Sequence, residues 1–246
     1  MFQPNVAQGV HRVFDAFVNW YLVEDEGRLT IVDAGTPRSW KLLHQALAQL
    51  GRTPRDVEAI VLTHGHYDHV GFAEKGRREL GLPVLVHRDD AWLARHPLRF
   101  KSERSVLLYA WRPSALRIVG PLIAARAPFV KGVRDVRTYE DRETLDVPGR
   151  PRVVFTPGHT FGHCSLHLPD RGVLIAGDAV VMLDPYTGRR GPCLVARAAT
   201  ADSKRALASL DRIAETEADT VLTGHGDPWT GGARRAAELA RIAGTA

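Results

Sequence analysis

The sequence has little of what would place it outside the ordinary globular class. Only two cysteines are present, Cys164 and Cys193, so no disulfide framework can hold the fold, which suits a reducing compartment. No stretch reaches the ~18 apolar residues that a membrane span needs. The opening MFQPNVAQGVHRVF has no basic cap followed by an apolar run, so no signal peptide is expected. Gly/Ser linkers and low-complexity tracts are also missing. Hydrophobic residues nevertheless make up 44% and charged residues 25% of the 246, enough apolar surface to offset ordering entropy, and general disorder is excluded. The expectation is one domain over residues 1–246, cytoplasmic and with no membrane partner.

The formal charge of +5 is unevenly spread. Residues 95–137 carry ten Lys/Arg against Glu103 and Asp135, a net +8, which leaves −3 for the rest. Such a segment is either a solvated helical face or a basic cover that meets an anionic substrate beside a site. Arg99, Lys101 and Arg104 are the candidate contacts for that substrate. A basic balance confined to one segment does not make nucleic acid an expected partner.

Periodicity predicts strands at 10–14, 18–23 and 29–32, then a helix over 39–50 with Leu43, Ala46 and Leu47 on its apolar stripe. Further strands are predicted at 57–63, 82–87, 152–156, 164–168, 172–176 and 219–223, and helices at 72–80, 201–217 and 232–243. Residues 89–137 read as a mainly helical insert punctuated by Pro97, Pro113, Pro121 and Pro128. Alternating strands and helices point to sheets covered by helices. VLTHGH (61–66), VFTPGH (154–159) and VLTGHG (221–226) each run a strand into a Thr and a Gly/His turn. Three strand ends that all deliver histidine suggest one shared crevice.

The run His64-Gly65-His66-Tyr67-Asp68-His69 is the most specific feature, since H-x-H-x-D-H arises by chance in roughly one or two such sequences in a thousand. If strand geometry persists, His64 and His66 point the same way and can reach one ion. Imidazole and carboxylate donors suit zinc, with iron and manganese as alternatives, because availability as well as ligand type decides the metal.

THGHYDHVG resembles the metal-binding signature of the metallo-β-lactamase fold superfamily. IVDAG (31–35), PGHTFGH (157–163), LIAGDAV (174–180) and TGHG (223–226) follow in that family's order. The resemblance spans about residues 10–230. It implies an α/β (α+β) fold, an αββα sandwich of two mixed sheets flanked by helices, here with the helical insert. It also implies two divalent ions, the first held by His64, His66 and His159 and the second by Asp68, His69 and His225, with Asp178 bridging. Asp33 would orient the ligand loop, and His163 would support its loop by hydrogen bonding.

Two ions can share a hydroxide that is nucleophilic near neutral pH while one polarises the substrate oxygen. Asp68 could steer that water and carry its proton. Hydrolysis of a small-molecule ester, thioester or lactone is therefore expected, with Tyr67 and Tyr186 as further candidate contacts. Hydroxyacylglutathione hydrolases share the ligand set, but the chain ends 21 residues after His225, too soon for their helical glutathione-binding region. Other readings are a one-iron persulfide dioxygenase using His64, His159 and Asp178, a phosphodiesterase or nuclease of the same fold, and a non-catalytic metal-binding module. A homodimer is compatible with the sequence.

Overall fold

The computed structural model describes residues 1–109 and 113–246. Seven strands form the first sheet: β1 (Phe2–Ala7), β2 (Val10–Asp15), β3 (Val18–Asp25), β4 (Arg28–Val32), β5 (Val57–Val61), β6 (Val84–His87) and β7 (Arg137–Tyr139). They lie in chain order across it, with β1–β4 antiparallel and β4–β7 parallel. The second sheet holds β8 (Arg152–Phe155), β9 (Cys164–Leu168), β10 (Val173–Gly177) and β13 (Thr220–Thr223), in the order β13-β10-β9-β8. A separate ribbon pairs β11 (Val181–Leu183) with β12 (Arg190–Cys193).

The sheets pack face to face through Val10, Tyr21 and Val61 of the first against Val153, Leu166 and Ile175 of the second. Helices α1 (Ser39–Gln49) and α3 (Ala73–Leu80) belong to the outer face of the first sheet, where Leu43 and Leu47 meet Ile31, Ile60 and Leu62. Helices α6 (Ser203–Ala214) and α7 (Ala233–Ala243) cover the second, with Leu210, Ile213 and Ala236 against Leu174 and Val221. Each helix buries one stripe, so the order of layers is αββα.

The remaining helices are short or lie in the insert: α2 (Tyr67–Val70), α4 (Ala91–Arg95) and α5 (Pro113–Ala124). The insert differs from the expectation of a mainly helical segment. Residues 96–105 carry no helix, because Pro97 stops α4 and the following chain is tied instead to the 197–203 loop through the backbone N–H groups of Glu103 and Arg104. The insert ends in a strand, β7, rather than in helix. Residues 110–112, Arg112 of the basic segment among them, lie outside the described residues. No described helix is long and apolar enough to cross a membrane.

Candidate metal centre

Four strand ends at one edge of the sandwich supply the cluster. β5 leads into His64 and His66, β8 into His159, β10 into Asp178 and β13 into His225. β5 stops at Val61, so His64 and His66 stand on a loop rather than on a continued strand. Their rings still lie 4.8 Å apart, and each packs on His159, at 4.8 and 4.5 Å. Asp68 and His69 sit on the single turn of α2, whose cap residue is His66. His64, His66 and His159 offer ligand atoms within 4.8 Å of one another, as do His64, His69 and Asp178, and Asp68, His69 and His225.

The donor atoms are buried and unspent. His64 Nε2, His66 Nε2, His69 Nε2, both ring nitrogens of His159 and Asp178 Oδ1 have no hydrogen-bond partner, and Trp20 Nε1 is the only other such atom among the described residues. A buried polar atom left unpaired costs about 1–3 kcal/mol. So many converging on one point mark a place where a cation satisfies them. The donor set therefore fits the divalent ions that this fold implies.

Asp33 sets the tautomers. It ends β4 with a positive φ of 61°, which an aspartate tolerates better than most residues. Its carboxylate accepts hydrogen bonds from the Thr63 amide (2.8 Å) and hydroxyl (2.9 Å) and from His69 Nδ1 (2.9 Å). The Thr63 hydroxyl, having donated to Asp33, accepts from His64 Nδ1 at 3.0 Å. His225 Nδ1 donates to the Phe17 carbonyl at 2.7 Å. Each of these three imidazoles thus turns its Nε2 towards the cluster.

His163 is different. Its Nε2 accepts from the Asp178 amide and its Nδ1 donates to the Thr156 hydroxyl, both at 3.0 Å, so neither nitrogen is left for an ion and the ring fixes the backbone of Asp178.

Charge divides the cluster. Burial, reinforced by neighbouring histidines, keeps His64 and His159 well below the ordinary imidazole value, and burial pushes His66 down to about 3. Burial also opposes charge on His69, yet the carboxylates of Asp178, Asp33 and Asp68 outweigh it and hold that ring up at about 10. His225 is raised likewise, against burial, by Asp178 at 3.1 Å and by Asp68. Asp178 is buried, but His225, His69 and His159 keep its carboxyl well below the usual range. One half presents neutral lone pairs, and the other holds positive charge that a metal ion would replace as it releases protons.

Close backbone approach makes this geometry possible. A Cβ on Gly224 would stand 2.0 Å from Asp178 Oδ1 and 2.7 Å from His69 Cε1. Gly177 has φ +52°, and a Cβ there would meet the Thr63 hydroxyl at 2.7 Å and His163 Nε2 at 2.8 Å.

Asp90 was not singled out by its sequence. It is buried and accepts from Gly65 N (2.8 Å), the Thr160 hydroxyl (2.7 Å) and Gly162 N (2.8 Å), joining the loop of His64 and His66 to that of His159. His87-Arg88-Asp89-Asp90 reads as an ordinary helix start, and only its place after β6 sets it apart. Asn19 and Tyr21 do the same for the His225 loop, both donating to the Thr223 carbonyl, at 2.8 and 2.7 Å.

A cavity of about 380 Å³ opens over Asp68, Asp178, His159 and His225. Tyr67 and Tyr186 both line it, their hydroxyls kept protonated by burial and by Asp68. Phe17 lines it from the two-residue turn between β2 and β3, where it and Ala16 take positive φ of 69° and 52°. Among the described residues, Arg99, Lys101 and Arg104 do not stand where a charged cover over this cavity would need them. Arg99 and Lys101 line a separate cleft of about 190 Å³ beside His66, and Arg104 lines neither. The insert turns apolar side chains, Val106 and Leu122 among them, towards the cavity instead.

Comparison with known proteins accords with this geometry. The probable metallo-hydrolase YflN of Bacillus subtilis (strain 168) is 29% identical over 241 residues, 92% of this chain and 86% of that protein. The N-acyl homoserine lactonase AttM of Rhizobium radiobacter is 27% identical over 254 residues, 90% and 87% of the two chains. The crystal structure of the metallo-beta-lactamase family protein TTHA1429 from Thermus thermophilus superposes with a TM-score of 0.69 at 30% identity, covering 96% of this chain and 79% of that one. The model of the metallo-beta-lactamase superfamily matches residues 13–225, from β2 to the last histidine of the cluster. The chain belongs to that superfamily and is one of its metallo-hydrolases.

Proposed function

We propose that the chain hydrolyses an ester, thioester or lactone of a small molecule with two divalent ions, zinc in the first instance. His64, His66 and His159 hold one, Asp68, His69 and His225 the other, and Asp178 lies between them. The observation that carries this reading is the convergence of unspent, buried Nε2 and carboxylate atoms from three strand ends, with His225 and Asp68 beside them. AttM, similar over most of its length and named a lactonase, supports the carbonyl-ester class.

When bound, the ions supply a water acidic enough to attack near neutral pH and a positive charge for the substrate oxygen. The chain's own residues do the rest. Asp33 and Thr63 keep the Nε2 atoms of His64 and His69 aimed inwards. Asp68, partly exposed at the cavity floor, is placed to take a proton from the attacking water and pass it to the leaving atom. The hydroxyls of Tyr67 and Tyr186 stay protonated and can donate to a substrate oxygen. Apolar walls limit the access of bulk water.

Elemental analysis of metal-loaded protein, run beside turnover of ester, lactone and thioester panels, tests the proposal. It expects two ions per chain and hydrolysis of at least one class. One tightly held iron, with oxygen-dependent chemistry and no hydrolysis, would replace it with the dioxygenase reading.

A further inference from the structure

The metal centre sits where two unlike recesses meet, and that juxtaposition carries a statement about the substrate. The larger has Phe17, Val18, Val106, Leu122 and Val195 on its walls and no Lys or Arg among its described lining residues. The smaller lies on the other side of Phe100 and holds Trp92, Phe161, Arg99 and Lys101. His66 and Phe100 line both, with their rings 4.8 Å apart.

The cleft's positive charge is uncommitted. Among the described residues neither Arg99 nor Lys101 has an ion-pair partner. Lys101 Nζ stands 5.2 Å over the ring of Phe161, and the Arg205 guanidinium 5.9 Å from the same ring. Two acids also line the cleft, the half-exposed Asp89 and the buried Asp90. Asp89 lies near Arg88 and His87, and Asp90 is used by the loops that it joins. Trp92 and Phe161 remain 53% and 37% exposed, large apolar faces beside free cations.

Resting on the hydrolase reading, we propose that the substrate is bipartite: a medium-length apolar acyl group fills the larger cavity, and an anionic leaving group lies in the Arg99/Lys101 cleft. Away from the metal centre, an anion in the larger cavity would lose its hydration among apolar walls with no Lys or Arg among the described lining residues. An alkyl chain there gains about threefold to fourfold in binding per methylene buried. The reaction on a thioester of this kind is balanced by water alone. The water oxygen bonds to the acyl carbon, the carbon–sulfur bond breaks with its electron pair on sulfur, and the two water protons pass to the thiolate and to solvent, leaving a carboxylate.

The test compares butanoyl and octanoyl thioesters of 3-mercaptopropanoate, which is anionic, and of 2-mercaptoethanol, which is neutral, on metal-loaded protein. Binding of the matching non-hydrolysable thioethers is measured by calorimetry. Octyl over butyl should gain on the order of 100-fold, and the anionic head about fivefold over the neutral one. The second ratio should fall to about one in Arg99→Glu/Lys101→Glu and in high salt, and the first should shrink in Leu122→Trp. Equal binding of the two chain lengths, of the two heads, or no binding at all overturns the proposal, whatever the turnover. The expected binding pattern without turnover leaves the bipartite site standing and overturns the hydrolase reading instead.

Discussion

Replacing Asp90 with alanine should cost far more than its distance from the reacting atoms suggests. The change removes an acceptor from three buried donors, the amides of Gly65 and Gly162 and the Thr160 hydroxyl. The hydroxyl can rotate to another partner, whereas the amides cannot. At ~1–3 kcal/mol for each of the two orphaned amides, the loss comes to about 2–6 kcal/mol. For a chain of this size each kcal/mol lowers Tm by ~2–4 °C, so a fall of about 4–24 °C is expected. The loosened loops carry His66 and His159, and metal affinity should drop by ~10–100-fold as for other groups that orient ligands.

Asp90→Asn separates charge from shape. Burial raises the Asp90 carboxyl above its ordinary value, against the hydrogen bonds from Thr160, Gly65 and Gly162. The folded protein therefore binds this proton more tightly than the unfolded chain does. The side chain's contribution to stability is greatest below the unfolded value of 3.8 and declines as pH rises through the folded one. The asparagine variant keeps the volume and one acceptor oxygen, should lose less than alanine at neutral pH, and should lack that decline. Urea unfolding of the three proteins from pH 4 to 7, with metal titrations beside it, supplies both readings. An alanine variant within about 0.5 kcal/mol of wild type, with unchanged metal affinity, would refute the loop-joining role.

Three further outcomes are expected. Asp33→Asn should lower metal affinity by ~10–100-fold while the chain stays folded, measured by competition with a chromophoric chelator, because His64 and His69 both depend on that carboxylate. Gly224→Ala should cut metal content at the Asp178/His69 side, read by elemental analysis, since its Cβ would lie 2.0 Å from Asp178 Oδ1. Phe17→Gly should hold or raise Tm, because glycine suits the positive φ of 69° there, yet lower kcat/KM as the cavity loses a wall; a lower Tm would contradict the turn argument.

Sequence pattern exposed the parts of this molecule whose chemistry repeats. Three strand ends share a Thr before a Gly/His turn, and all three threonines work in the structure, Thr63 on Asp33, Thr156 by accepting from His163 Nδ1, and Thr223 by lending its carbonyl to Asn19 and Tyr21. Buried strands and the stripes of α1, α6 and α7 were legible because apolar spacing is all that forms them. β1 was not, since Gln3-Pro4-Asn5 at a sheet edge buries little and shows no alternation. The β11–β12 ribbon escaped for a similar reason, as Arg190-Gly191-Pro192 gives no strand signal and pairing is imposed from outside. Asp90 escaped because one aspartate after a strand has no pattern, and its three partners lie 25, 70 and 72 residues away. The distribution of charge was visible, but its orientation was not. A net +8 segment turned apolar side chains such as Val106 and Leu122 to the main cavity, with Arg99 and Lys101 at the cleft to the side.

Because the cluster draws His64, His66 and His69 from beyond one sheet and His159, Asp178 and His225 from beyond the other, ions held there would act as a clasp across the seam of the sandwich. Docking of the two sheets and loading of the ions then become one linked equilibrium. Free metal at 100 times its dissociation constant would add about 2.7 kcal/mol to the cohesion of the halves. Metal supply would thereby bear on the protein's lifetime as well as its rate, since a molecule without its ions would open to proteolysis more often.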